Sequence, residues 1–438
     1  MSKKLRNRLL CLAVNVLRLG VACTFIFSGT VKLIDPHGTE YKIQDYARAF
    51  GFTAVAAQEV LVQVMAVALA VLEFSTGIYL LFGIRRRRTV HVALLLMLVF
   101  TPLSLYLALT NSVADCGCFG DALHLTNWQT LGKNVALLLA VIVLLVKPRL
   151  MTRLITERNQ WTVSLYTWAF ALIFAGISLY GLPLIDFRPY HIGTDLRARI
   201  AERDSAVGQG ETIFIMEKDG VRREFTTANY PDSTWIYVDA RLEGGTPDEA
   251  SPYADFSIVT PEGEDLTHEL LADTSYVFLL LSPYLEQADD GVLDRITSVC
   301  DYAQEHGYTF LCLTSSAPQG MEQWREMTGA EYAFAQTDGI VLKTMIRSNP
   351  GLMLLHDGRI VNKWPSTGMP DLTDESRPLE RVPQAVAQES SHVARMLDIL
   401  LWYVLPLLFF TLADRLWVAW KLRKLHKKAS INSKSKEL

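Results

Sequence analysis

Long apolar runs separated by short charged connections fill the first 185 residues, and shorter alternating runs follow before a last apolar segment near the end. Six segments keep this character over the roughly 20 residues a helix needs to cross a bilayer. They are Leu9 to Ile34, Ala54 to Phe82, Val90 to Leu109, Trp128 to Val146, Val163 to Leu184 and Met396 to Ala419. The first is too long for a signal-peptide core and lacks a small-residue cleavage site, so it reads as a retained anchor. After the fifth run, Pro183 and Pro189 punctuate the exit. Thr212 to Met216 and Thr234 to Val238 then alternate as strands, with a hairpin signal at Lys218-Asp219-Gly220-Val221. From Asp273 the pattern is mixed. An apolar strand, Tyr276 to Leu281, precedes a helix with Val292, Ile296 and Tyr302, then a strand from Tyr308 to Leu313 and a helix near Met321 to Met327. A strand at Gly351 to Leu355, a turn at His356-Asp357-Gly358 and a strand at Arg359 to Trp364 complete it. Strand, helix, strand in this order predicts a parallel crossover unit.

The expected fold is therefore an α-helical polytopic membrane protein with an inserted α/β domain and a small β subdomain. Its divisions are a four-helix bundle over 1–146, a connection and fifth span over 147–184, and a β-rich part over 185–270. An α/β domain covers 271–366, a linker rich in Pro, Asp, Glu and Ser 367–395, a sixth span 396–420, and a basic tail 421–438 that is expected to be disordered after Lys424.

Charge adds orientation. With 50% hydrophobic residues the chain is at the apolar end of the usual range. The net charge of −4 selects no partner, and no basic patch with interleaved aromatics points to nucleic acid. Lys and Arg concentrate in four places: Lys3, Lys4, Arg6 and Arg8; Arg85 to Arg88; Lys147, Arg149, Arg153 and Arg158; and Arg415, Lys421, Arg423, Lys424, Lys427 and Lys428. The excess of basic residues on the cytoplasmic side of membrane proteins puts all four, and both termini, in the cytoplasm. The loop around Cys116 and the segment from Ile185 to Arg395 then face the opposite side. In a bacterial inner membrane that side is the periplasm, where thiols can be oxidised.

Chemistry concentrates in that loop, Asp115-Cys116-Gly117-Cys118-Phe119-Gly120-Asp121. Two cysteines one residue apart close a disulfide only if the backbone brings their Cα atoms within about 7 Å, and Gly117 supplies the freedom for such a bend. So small a ring favours an exchangeable bond over a permanent one. A fixed clip and a metal site with His124, Asp115 and Asp121 remain open at this point, although the spacing matches no common zinc pattern. Cys300 and Cys312 fall on a helix and in a strand, where free cysteine behaves as a small apolar residue. Cys11 and Cys23 lie in the first span and are expected to be inert, with Cys23 near the Cys116 loop if it faces inward.

Four charges lie within or at the ends of apolar spans: Arg18, Lys32, Glu59 and Glu73. Such residues are costly in lipid and are found paired or functional. Counted from the cytoplasmic ends, Arg18 and Glu73 both lie about 15 Å deep, at ~1.5 Å per residue. The expected pairs are Arg18 with Glu73 and, near the opposite surface, Lys32 with Glu59. They either lock the bundle or line a proton-relay or quinone site.

Arg18-Leu19-Gly20, Phe27-Ser28-Gly29-Thr30-Val31-Lys32-Leu33-Ile34-Asp35-Pro36, Leu72-Glu73-Phe74 with Gly77, and Leu80-Leu81-Phe82-Gly83 resemble the DoxX membrane family. Asp115 to Gly120 is similar to its MauE branch, the methylamine-utilisation and redox-associated membrane proteins. The resemblance covers about the first third of the chain. It implies a four-helix bundle linked to periplasmic electron transfer or disulfide formation, architecturally similar to the quinone-coupled disulfide-forming relatives of vitamin K epoxide reductase. Those use Cys-x-x-Cys near the quinone, and no such spacing occurs here. A membrane quinone is thus a cofactor by resemblance alone.

The segment over 271–366 resembles a thioredoxin-like domain in its order of elements and in Ser348-Asn349-Pro350-Gly351-Leu352 before a hairpin. Asn349 and Pro350 then mark a groove, with Pro350 a candidate cis-proline. Where such a domain carries Cys-x-x-Cys, this chain has Ser282-Pro283-Tyr284-Leu285-Glu286. No phosphate-cradling glycine loop and no Ser/His/Asp set supports a nucleotide enzyme or hydrolase. The reading with the most support is thiol–disulfide exchange by Cys116 and Cys118 with periplasmic protein thiols or disulfides. The rivals are a non-enzymatic scaffold that binds a client in the groove and a small-molecule binding or transport bundle.

Overall fold

A computed structural model describes residues 3–111, 117–208, 211–218, 221–226, 236–243, 251–373, 375–382 and 392–434. It divides into Met1–Ile185 with Ser390–Leu438, and Asp186–Glu389. The first unit contains α1 (Lys3–Ile34), α2 (Pro36–Ala49), α3 (Thr53–Ala56), α4 (Glu59–Phe82), α5 (Arg86–Thr110), α6 (Asn127–Val146), α7 (Gln160–Tyr180) and α13 (His392–Lys434). Six of these are long and apolar enough to span a membrane, the last over Leu397–Leu425. The chain is a multi-pass membrane protein.

Packing of α1 on α4 follows from two small residues. A Cβ on Gly29 would meet the backbone of Phe74, and one on Gly77 would lie 2.7 Å from Ile26 N. Small residues let backbones approach closely where lipid offers no hydrophobic drive for association. This contact fixes the register of the two helices. The α6 helix begins at a capping box, in which the Thr126 hydroxyl accepts from Gln129 N and the Gln129 side chain accepts from Thr126 N. Thr126→Ala is expected to cost about 1 kcal/mol, read as a lower unfolding midpoint in detergent, with Thr126→Ser close to the unaltered chain. Tyr403 of α13 stacks on Tyr166 at 5.6 Å, and its hydroxyl lies 2.9 Å from Thr167 Oγ1. Asp414 accepts from Thr156 N at 3.0 Å and Asn159 Nδ2 at 2.7 Å, tying α13 to the turn before α7.

Two expectations are corrected here. Residues 36–49 form α2, which the apolar pattern did not announce. Its signal is local: Asp35 caps Gly38 N at 2.9 Å and Pro36 occupies the first turn. The tail after Lys424 is helical to Lys434, since Lys, Leu and Ala continue the helix without a breaker.

The second unit carries α8 (Leu196–Gly208) and an antiparallel sheet of β1 (Glu211–Lys218), β2 (Val221–Thr226) and β3 (Ile236–Glu243) in the order β2-β1-β3. Lys218 pairs with Val221, as the hairpin signal required, although the two turn residues lie outside the described ones. Next come α9 (Thr267–Ala272), β4 (Tyr276–Ser282), α10 (Leu293–Glu305), β5 (Thr309–Thr314), α11 (Pro318–Thr328), β6 (Ala333–Gln336), α12 (Gly339–Met345), β7 (Gly351–His356) and β8 (Arg359–Pro365). The five-stranded sheet runs β6-β5-β4-β7-β8, with β4, β5 and β6 parallel and β7 and β8 antiparallel. This is a thioredoxin-like fold. Phe278, Leu280, Val299, Cys312 and Trp324 centre its core. Met369, Leu372 and Leu379 also enter that core, so the segment after β8 is not simply a solvated linker: isolated apolar residues in a polar stretch pin it to the sheet.

Candidate functional site

Ser28 and Lys32 stand four residues apart on α1 and so share one helix face. Opposite them on α4 is Glu73, 1% exposed. The Lys32 ammonium uses its three donors on three acceptors: Ser28 Oγ at 2.7 Å, Glu73 Oε2 at 2.9 Å and the Cys118 carbonyl at 2.9 Å. Ser28 Oγ lies 2.6 Å from Glu73 Oε2 and 2.7 Å from the Cys118 carbonyl, and its single proton serves one of them at a time. Glu73 Oε1 is buried with no hydrogen-bond partner among the described residues.

The cysteine loop is held by more than this carbonyl. Phe119 packs edge-on against Phe27 at 5.2 Å, and Lys133 Nζ lies 4.1 Å from its ring centroid. Gly117 has φ +63°, and a Cβ there would lie 2.9 Å from Lys42 Cγ. Only glycine fits the middle of this Cys-Gly-Cys run without strain. Gly117 and Cys118 border a cavity of about 70 Å³. Phe25, Phe100, Leu103 and Leu137 give it apolar walls, and Lys32, Lys42, Lys133, Tyr46 and Glu73 give it polar points. Lys42 and Lys133 stand at the cavity wall beside the loop, and Lys32 is paired with Glu73.

The structure brings together only part of what the sequence singled out. Cys116 and Asp115 lie outside the described residues; Cys118 is half-buried. Arg18 does not pair with Glu73. Its Nη1 donates to the Thr152 carbonyl, and its Nε has no partner among the described residues. Lys32 does not pair with Glu59, which opens α4 in an exposed position. The expected pairs assumed that the basic ends of α1 and α4 lie level, but α1 has 32 residues and α4 24, and the Gly29–Phe74 contact sets Glu73 near Lys32 instead. Cys23 is exposed, while Cys11 Sγ donates to the Leu150 carbonyl at 3.5 Å. Among the described residues no three His, Cys, Asp or Glu side chains gather as a metal set. Ser28, Lys42, Tyr46 and Lys133 were missed; the one available signal was a serine four residues before an intramembrane lysine.

In the second unit the Asn349–Pro350 peptide is cis. Asn349 Nδ2 donates to the Tyr284 carbonyl at 2.8 Å, and its Oδ1 accepts from Ser282 Oγ at 2.6 Å. Ser316 Oγ donates to Glu286 Oε2 at 2.8 Å. Hydrogen bonds therefore occupy the place of the missing dithiol. Burial pushes the Cys300 and Cys312 thiols up, which leaves them poor nucleophiles.

No curated protein matches the chain. A solution structure from Bacteroides thetaiotaomicron, provisionally assigned as a protein disulfide isomerase, aligns with 16% identity over 26% of this chain and 76% of its own, with a TM-score of 0.21. Residues 210–243, which hold the three-stranded sheet, match a domain of unknown function, DUF8463. Residues 10–147, which contain the Lys32–Glu73 pair and the cysteine loop, match the family model of the methylamine utilisation protein MauE.

Proposed function

We propose that this membrane protein is a thiol–disulfide oxidoreductase whose Cys116/Cys118 pair works at the rim of the bundle cavity. One observation carries the reading: buried Lys32 and Ser28 grip the Cys118 backbone beside an apolar, lysine-bordered cavity. The thiolate of one cysteine attacks a client disulfide, forming a mixed disulfide and releasing the client's other sulfur as a thiolate. The second cysteine then attacks the mixed disulfide, so the pair closes and the client leaves as a dithiol. Run backwards, the same two steps oxidise a client dithiol. The thioredoxin-like domain, which has no Cys-x-x-Cys, serves as a docking module for the client.

The Lys42 and Lys133 side of the loop opposes the end where Arg86 and Arg18 bind the 151–152 backbone. This arrangement supports basic connections in the cytoplasm and the cysteine loop and large domain in the periplasm of a bacterial inner membrane. The quinone implied by resemblance suits the cavity by donor chemistry: Phe25, Phe100 and Leu137 offer apolar contact, Lys42 and Tyr46 offer donors, and the orphan Glu73 Oε1 stands ready to accept. When bound, such a group supplies a two-electron acceptor.

The test is trapping in native membranes of the full-length chain. Cys118→Ala or Cys116→Ala is expected to accumulate a mixed disulfide visible on non-reducing gels, and the double variant none. A pair that stays oxidised in buffers poised below about −300 mV, with no trapped species in either single variant, would identify a fixed clip and end the proposal.

A further inference from the structure

A second cavity, of about 770 Å³, lies at the other end of the bundle, between the first turns of α1, the start of α5 and the segment after α6. Arg87, His91, Lys147 and Arg149 line it together with apolar Leu10 and Val146, and no acidic side chain does so. Among the described residues none of Arg87, Lys147 or Arg149 has a carboxylate partner, whereas neighbouring Arg153 pairs with Glu157. Three exposed cations without a carboxylate around one hollow make it electropositive, the more so at low ionic strength.

The hollow is built rather than incidental. Arg86 Nη1 donates to the carbonyls of Arg149, at 3.3 Å, and Met151, and Asn15 Nδ2 donates to the Leu150 carbonyl at 3.0 Å. These bonds hold the 149–151 wall against α1 and α5. No acidic side chain occupies the first turn of α5, and Arg85 supplies no side-chain cap. The unpaired N–H groups of that turn therefore add to the positive potential. The Arg87 carbonyl accepts from His91 Nδ1 at 2.6 Å, which holds the ring at the cavity wall.

We propose that this cavity binds the phosphate headgroup of an anionic phospholipid, with an acyl chain lying along Leu10 and Val146. The apolar flank decides for a lipid over a soluble phosphate. Leu10 is 44% and Val146 65% exposed, at the level where a helix leaves the bilayer, and a free phosphate gains nothing from them. A choline headgroup would place a cation among Arg87, Lys147 and Arg149. This site is independent of the cysteine loop.

Full-length protein in detergent is titrated with dioleoylphosphatidylglycerol, tetraoleoyl cardiolipin and dioleoylphosphatidylcholine, and bound lipid is counted by native mass spectrometry. Both anionic lipids are expected to bind in preference to phosphatidylcholine. Arg87→Gln with Lys147→Gln is expected to lower that preference at least about tenfold, and Arg149→Gln alone by a smaller factor. Lys421→Gln with Arg423→Gln, basic positions on α13, is expected to leave it unchanged. Equal binding of phosphatidylcholine, equal loss in the α13 variant, or full competition by glycerol phosphate at matched concentration overturns the proposal. All variants are exposed-side-chain changes, and an unchanged unfolding midpoint confirms that the fold is kept.

Discussion

Replacing Lys32 with methionine lowers the stability of the membrane bundle by about 3–5 kcal/mol, the usual penalty for removing one partner of a buried ion pair. Lys32 is 6% and Glu73 1% exposed, so the carboxylate left behind loses its cationic partner in a buried site. Ser28 has one hydroxyl proton, shared between Glu73 Oε2 and the Cys118 carbonyl, and Glu73 Oε1 is without a donor among the described residues, so no bonded cation is left on the carboxylate. Two apolar residues of matching size remove the charge altogether, and Lys32→Met with Glu73→Leu recovers most of the loss. A double-mutant cycle from denaturant titrations in detergent is expected to give a coupling above about 1.5 kcal/mol. Coupling below about 0.5 kcal/mol, the level of additive sites, would mean the two side chains do not act as a pair. The loop reports the same event chemically. With Lys32 gone the Cys118 carbonyl keeps Ser28 as its donor at 2.7 Å, and alkylation of Cys118 is expected to quicken as the loop loosens.

What the sequence made legible and what it hid divide along physical lines. The six spans were readable because a helix in lipid must be apolar for about 20 residues, a constraint that leaves little ambiguity. The parallel crossover and the hairpin of the second unit were readable because Tyr276 to Leu281 and Gly351 to Leu355 are fully buried and apolar. The Arg18 and Lys32 partners were misread because counting depth from chain position ignores the register set by the Gly29 and Gly77 contacts. The second helix was missed because its buried face holds Glu40 and Gln44, polar residues that give no apolar stripe. Met369, Leu372 and Leu379 escaped notice because single apolar residues in a polar stretch have no period.

Asp186→Asn is expected to cost the second unit about 3–5 kcal/mol at neutral pH, because one carboxylate there answers two buried cations. Arg188 donates to Asp186 from Nε at 2.7 Å and Nη2 at 2.9 Å, and Lys363 Nζ donates to it at 3.0 Å and to the Met345 carbonyl at 2.8 Å. Arg188 is 2% and Lys363 6% exposed. Burial alone would raise the Asp186 carboxyl, but the Lys363 and Arg188 charges and their hydrogen bonds outweigh it and hold the group well below the usual carboxylate range. A carboxyl depressed on folding adds stability that is complete above its unfolded value, about 3.9, and drains away as pH falls through the folded one. Lys363 behaves in the opposite window. Burial outweighs the attraction of Asp186 and lowers it to about 8. Between about 8 and its unfolded value near 10.4 the unfolded chain binds more protons, so stability rises with pH across that range. The asparagine variant should therefore lose the acid slope below about pH 4 and begin its alkaline rise earlier, since Lys363 no longer has a carboxylate beside it. Hydrogen exchange of the β8 amides in the full-length chain, followed from pH 3 to 10 by global opening free energy, reads both windows at once. An acid slope that survives the substitution would show that other carboxylates, and not Asp186, hold this end of the sheet.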